Sequence, residues 1–289
     1  MATKPVVVGV DGSEDSLLAA EWAALEANRQ RLPLRIVSVP AMMPRIHSSQ
    51  VPPATVASVL RDASARALRT AVARAEEVAP GLAIATDLLS GPPALAVAGS
   101  GSGAAMLVVG ARGAGGFAAM ILGSVGRYAA LRATCPVIVV RQASMAVHRE
   151  VAVGVRDPQD TTEALTFAFE EATVRHADLV VVHACHWFPS ALRAPVDPDA
   201  VDTPLRPEQI SDEASRSLSA SLNRWREKYP DVRVRHDVIH GHPARVLANY
   251  SARADLVVIG RHGSPGIGSI QHALLDHARG PVAIVPVGD

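Results

Sequence analysis

The sequence predicts an α/β protein of two tandem domains, each a five-stranded parallel sheet with helices on both faces. Three observations carry that expectation. First, the chain repeats itself: Val6-Val7-Val8-Gly9-Val10 returns as Val151-Ala152-Val153-Gly154-Val155, and Gly123-Ser124 returns as Gly268-Ser269, both at an offset of 145 residues. Leu107-Val108-Val109-Gly110 also returns, with Gly110 and Gly260 offset by 150, so the same supersecondary units recur in the same order. Second, short Val-rich runs end in Gly, Pro or Asp, as strands buried on both faces do. Third, helical segments separate those runs, and alternation of this kind implies a parallel sheet with right-handed crossovers.

The elements follow in order. Residues 6–10 read as a buried strand ending in the turn Asp11-Gly12-Ser13. Ser13 or Asp15 can cap the next helix, where Leu17, Leu18, Trp22 and Leu25 share a face. Residues 34–39 form a second strand stopped by Pro40; 41–54, rich in Pro and Ser, a loop; 55–77 an alanine-rich helix; and 82–89 a third strand. Gly91-Pro92-Pro93-Ala94 opens a helix with proline where a missing amide costs least. Residues 106–109 are a fourth strand, 110–116 a glycine loop, 124–132 a helix and 137–140 the last strand.

The second half repeats this plan, with strands near Val151, Val180, Val234, Val257 and Val282 and with Gly241-His242-Pro243-Ala244 opening the matching helix. Its long loop spans 189–207; this loop and the loop at 41–54 are each either a lid over the carboxyl edge of a sheet or a plain surface connection. The length of 289 residues suits two domains, assigned to 1–142 and 148–289 with a boundary near Arg141-Gln142-Ala143-Ser144. The last strands, apolar and at sheet edges, are ready to pair with another strand. They predict a pseudo-dimer within the chain and allow a homodimer.

Composition removes several function classes. Lys plus Arg equals Asp plus Glu at 28 each, so no net field draws the chain to nucleic acid or an acidic membrane. No apolar run approaches the ~20 residues of a membrane span, and a first strand starting at Val6 leaves no room for a signal peptide. A cytoplasmic protein is expected. Cys135 and Cys185 do not match between the repeats and read as buried thiols. No metal site is expected: His183 and His186 fall on opposite faces of a strand, the glycine between His240 and His242 spoils any fixed geometry, and His183 matches Ser38 of the first half.

The segment from Gly110 to Ser124 lies at the carboxyl edge of the sheet, where open parallel sheets bind ligands. Gly110 and Gly113 are followed, nine residues on, by Gly123-Ser124 at a helix start. Glycines admit a phosphate close to the backbone, and helix N-terminal amides favour an anion. The spacing is neither a Walker A loop, which needs a following lysine, nor the dinucleotide fingerprint, which follows the first strand.

With Asp11 after the first strand, Gly91-Pro92-Pro93-Ala94 after the third and Thr134-Cys135-Pro136-Val137-Ile138-Val139-Val140 closing the unit, this half resembles the universal stress protein family. Gly110, Gly113, Gly123 and Ser124 meet that family's Gly-x2-Gly-x9-Gly-Ser/Thr nucleotide pattern. The resemblance covers the whole chain as a tandem pair and implies an adenine-nucleotide-α-hydrolase-like, Rossmann-like fold. It also implies an ATP site: Asp11 lining the adenosine pocket, Val39 offering backbone contacts to adenine, Gly110 near the ribose, and Gly113, Gly123, Ser124 and Val125 on the phosphates. Arg112 is either a phosphate partner or a solvated loop residue.

The second copy departs from the pattern. Arg156 stands where the first has Asp11, and only four residues separate Gly263 from Gly268-Ser269. Gly260, Gly263, Gly268 and Ser269 are therefore candidates for a weaker second site. What the resemblance implies is an ATP-binding regulatory protein of the stress response, the nucleotide held mainly by the first half, with or without magnesium, and with a signalling partner the sequence does not identify. Two alternatives stay open: a weak ATPase or nucleotidyl-transfer enzyme, and an interaction module with vestigial sites. No catalytic residue is assigned, because the loop carries neither lysine nor a carboxylate cluster.

Overall fold

The computed structural model describes residues 3–41, 53–113, 122–141, 147–156, 162–185, 207–261 and 268–287, without the side chains of 53, 185, 207–211 and 269. The first half runs β1 (Val6–Gly9), α1 (Glu14–Gln30), β2 (Leu34–Ser38), α2 (Pro53–Val78), β3 (Ile84–Leu88), α3 (Pro93–Ser100), β4 (Met106–Gly110), α4 (Ser124–Arg132) and β5 (Val137–Val140). The second half runs β6 (Glu150–Val155), α5 (Thr162–Arg175), β7 (Asp178–Cys185), α6 (Pro207–Ser221), α7 (Asn223–Lys228), β8 (Val234–His240), α8 (Pro243–Tyr250), β9 (Leu256–Arg261), α9 (Ser269–His277) and β10 (Val282–Pro286). The expected strands and helices are present with ends moved by a few residues. Where the first half has the single α2, the second has α6 and α7, which meet at the buried Leu222. The bulk of both long loops, and of the glycine loop beyond Gly113, lies outside the described residues.

Within each half every strand pair is parallel. The two sheets are not separate. β5 pairs antiparallel with β10, Ile138 opposite Ala283, giving one ten-stranded sheet in the order β3-β2-β1-β4-β5-β10-β9-β6-β7-β8. Each half thereby covers the other's apolar edge strand, the liability that an exposed row of amides and carbonyls would create.

Alternation along the strands builds two cores. Val6 and Val8 face the layer holding α1 and α5, whereas Val7 faces the layer holding α3, α4, α8 and α9. Both apolar clusters continue from one half into the other, so the strands need apolar side chains on both faces, as their Val-rich sequence has.

Polar contacts fix the junction as well. The Arg261 guanidinium, at the end of β9, donates to Ala133 O at 2.8 Å and to Leu131 O, capping the C-terminus of α4. Arg141 donates to Leu275 O of α9 from the other side.

Between α1 and α5 lies a buried charge cluster with the symmetry of the repeat. Glu26 and Glu171, offset by 145 residues, are 0% and 2% exposed. Arg175 reaches Glu26 at 2.5 Å and Glu171 at 3.0 Å, and the Gln30 amide donates to both carboxylates, at 2.7 and 2.9 Å. Arg29 joins Glu26 from the solvent side at 2.5 Å. Burial and then the Glu26 charge push the Glu171 carboxyl up to about 8, against the pull of Arg175 and Arg29.

A pH dependence follows from that shift. The folded chain keeps the Glu171 proton until about pH 8, while the unfolded chain releases it near the ordinary 4.5. The unfolded state binds fewer protons across that window, so stability falls as pH rises through it, at up to about 1.4 kcal/mol per pH unit, and levels off above. Denaturant unfolding of the wild type should show this slope between pH 5 and 8, and Glu171→Gln should flatten it. Equal slopes in the two proteins would assign the dependence to other groups.

Candidate functional site

The chain leaves β1 for β2 and β3 on one side, and later enters β4 and β5 on the other. The reversal opens a crevice at the carboxyl ends of β1 and β4. A cleft of about 390 Å³ occupies it, within the range that accommodates a small organic ligand. Asp11, Val39, Gly110, Arg112, Gly113, Gly123, Ser124 and Val125 all line this cleft. The structure thus brings together the residues predicted from four separated segments.

Each wall has a local cause. Gly12 turns the chain after β1 at φ +86°, a left-handed conformation that favours glycine. Ser13 then caps α1, its hydroxyl accepting from Ser16 N at 3.4 Å. The Asp11 carboxylate accepts from Ser13 N at 3.0 Å and from Ser13 Oγ at 2.5 Å, which holds it at the mouth. Opposite, Gly113 lies on that carboxylate: a Cβ there would sit 2.5 Å from Asp11 Oδ2. At the far wall Gly123 is the N-cap of α4, with no side-chain cap bond, and Ser124 begins the helix. The first-turn amides of α4 therefore open on the cleft, a setting suited to an anion.

Arg112 has a partner that neither expectation named. Its guanidinium pairs with Asp15, Nε to Oδ2 at 3.0 Å, and its backbone N–H donates to the same oxygen at 3.1 Å. The hydrogen bond to Asp15 holds the guanidinium above its usual range. Asp15 is nearly buried, 9% exposed in its side chain, whereas Arg112 is half exposed. Asp15 thus pins the start of the glycine loop to the first turn of α1.

The sequence reading missed Asp15 as an anchor, and also Ser16, Pro93, Val97 and Gly126, which line the same cleft. Ser16 was legible as the third residue of a cap. Gly126 was legible only by aligning it with Gln271 in the repeat.

In the second half, Gly260 is the last but one residue of β9 and Gly268 is the N-cap of α9, with Ser269 first in the helix. Gly263 lies outside the described residues. Arg156, at the position of Asp11, follows β6 and is exposed. His183 takes the place of Ser38: Ser38 Oγ donates to Val10 O at 2.8 Å, and His183 Nδ1 to Val155 O at 3.2 Å. This histidine has a structural hydrogen bond matched in the other half. Among the described residues no group of three or more His, Cys, Asp or Glu side chains could hold a metal, and no helix is long and apolar enough to cross a membrane. Cys135 is a buried free thiol that burial pushes up to about 11; the Cys185 side chain lies outside the description.

The model of the universal stress protein family matches residues 2–141 and again 148–286. A universal stress protein of Mycobacterium tuberculosis is 34% identical over 292 residues, covering 96% of each chain. One from Mycolicibacterium smegmatis is 31% identical over 296 residues, covering 97% of this chain and 96% of that one. The crystal structure of a universal stress protein from Archaeoglobus fulgidus superposes over 100% of both chains with a TM-score of 0.71 at 15% identity, a likeness of fold. Two matches in tandem, on halves that share one sheet topology, establish that the chain belongs to the universal stress protein family.

Proposed function

We propose that the protein is an ATP-binding regulatory protein of the stress response, acting in the cytoplasm, and that the first half holds the nucleotide. One observation carries this reading: eight residues singled out from separated segments line one cleft at the switch point of the sheet, under the open N-terminus of α4. In it, Asp11 accepts hydrogen bonds from the adenosine, Val39 flanks the base, and the Gly113, Gly123 and Ser124 backbone surrounds the phosphates, where N–H donors and the helix dipole favour negative charge. Arg112 moves from Asp15 to the phosphates or bridges the two, with or without magnesium on the phosphates.

Binding rather than turnover suits the chemistry. The nearby carboxylates are already engaged, Asp11 by Ser13 and Asp15 by Arg112. Slow hydrolysis is the upper limit of the activity proposed. The first half is favoured because Arg156 offers donors where an adenosine hydroxyl or amine needs an acceptor.

Protein purified from cells and then denatured should release about one ATP or ADP per chain, the stoichiometry of a single competent site. Gly123→Glu, which places a carboxylate where the phosphates would lie, should reduce that to background. Two nucleotides per chain would contradict the assignment to one half, and none would contradict the assignment of ATP.

A further inference from the structure

The two halves have matching glycines at the ends of β4 and β9 and at the starts of α4 and α9, and among the described residues there they differ at one helix position. Counting from the N-caps Gly123 and Gly268, the third helical residue is Gly126 in α4 and Gln271 in α9. Gly126 lines the first cleft, and a Cβ added there would lie 3.2 Å from the Leu122 side chain and 3.6 Å from Gly110 O, so a side chain at this position starts beside the end of β4. Gln271 makes that contact in the second half. Its Nε2 donates to Gly260 O at 3.1 Å, and its Oε1 lies against Gly268.

The carboxamide therefore spans the gap between strand end and helix start, where the first half leaves room for a ligand. It brings its own acceptor oxygen to the helix N-terminus, where a third-position Gln or Glu commonly folds back. The framework around it is preserved: Gly154 abuts Leu247 as Gly9 abuts Val97, and the His183 and Ser38 hydrogen bonds correspond.

We propose that Gln271 is a built-in occupant of the space between the end of β9 and the start of α9, standing in for a phosphate-bearing ligand, and that Gly126 is the specificity-determining residue that leaves the first cleft open. This rests on the reading that the first cleft binds ATP. An anion entering the second half must displace the Gln271 amide from Gly260 O as well as compete with water, so this side chain adds to Arg156 and the shorter loop in setting the two halves apart.

The test uses the full chain freed of nucleotide, with sodium tripolyphosphate and ATP as probes in calorimetry and circular dichroism to establish folding. Gly126→Gln should reach the end of β4 as Gln271 reaches the end of β9 and weaken ATP binding roughly tenfold or more. Gln271→Ala should raise tripolyphosphate stoichiometry from about one to about two per chain, the added site being the weaker. Wild-type affinity for ATP in folded Gly126→Gln, or unchanged stoichiometry in Gln271→Ala, would overturn the proposal. Failure of the wild type itself to bind ATP would instead remove the reading on which the proposal rests.

Discussion

Arg175→Ala is expected to lower the unfolding free energy by about 3–5 kcal/mol, the cost of removing one partner from a buried ion cluster. Arg175 is 6% exposed in its side chain and faces two carboxylates that are themselves out of water, Glu26 and Glu171. Burial opposes its charge, and the two carboxylates outweigh that penalty and hold the guanidinium above its usual range. Without it, Gln30 still donates to both acids and Arg29 still pairs with Glu26, but the buried Glu26 charge loses its buried partner, and above about pH 8 Glu171 adds a second one. The melting temperature should drop on the order of 10 °C.

The same substitution should cost less at pH 5 than at pH 8, because protons can then neutralise the acids that have lost their partner. Calorimetric melting of both proteins at the two pH values checks this. A loss equal at both would mean that the missing packing over Trp22, which Arg175 covers at 5.4 Å from the ring centroid, dominates instead.

Gly110→Val is expected to remove nucleotide binding and to destabilise the first half by about 1–3 kcal/mol. A Cβ on Gly110 would meet Asp15 C and O at 2.7 Å and Ser16 N at 2.9 Å. These are backbone atoms of the first turn of α1, which cannot turn aside as the tip of a side chain can. Any shift that relieves the clash moves Ser13, Asp15 and Ser16 together, and with them the hydrogen bonds that hold Asp11 and the backbone of Arg112. Gly260→Val is the matched control in the second half: it should leave the released nucleotide near the wild-type amount. Loss of nucleotide in both variants would show that the second half supports the first cleft or shares the ligand.

Much of this molecule was legible because strands buried on both faces are written plainly. The Val-rich runs at 6–10, 106–109 and 137–140 have no solvent-facing positions to interrupt them, and β1, β4 and β5 match these runs closely. β3 was placed less well: it begins at Ile84 rather than 82, and as an outer strand with exposed residues it lacks that pattern. The break at Leu222 was not legible, since nothing in the apolar spacing distinguishes one long helix from two short ones. Of the eight predicted residues that line the cleft, Gly110, Gly113, Gly123 and Ser124 were legible as a motif, Asp11, Val39 and Val125 through the family resemblance, and Arg112 by its place in the loop. Their support was not, because Asp15 acts on Arg112 across 97 residues and no local pattern records such a pairing.

The sequence by itself determined that one α/β unit occurs twice, where its glycines turn, and which half has Asp11 and which Arg156. Those are local properties: strand burial, turn geometry and the side chain at a position are encoded where they act. Tertiary structure alone decided that β5 and β10 join the halves into one sheet, that Glu26, Glu171 and Arg175 meet between α1 and α5, and that the Gln271 amide bonds Gly260 O. Each of these depends on two distant segments arriving at the same place, and their energies come from burial and pairing that neither segment has alone.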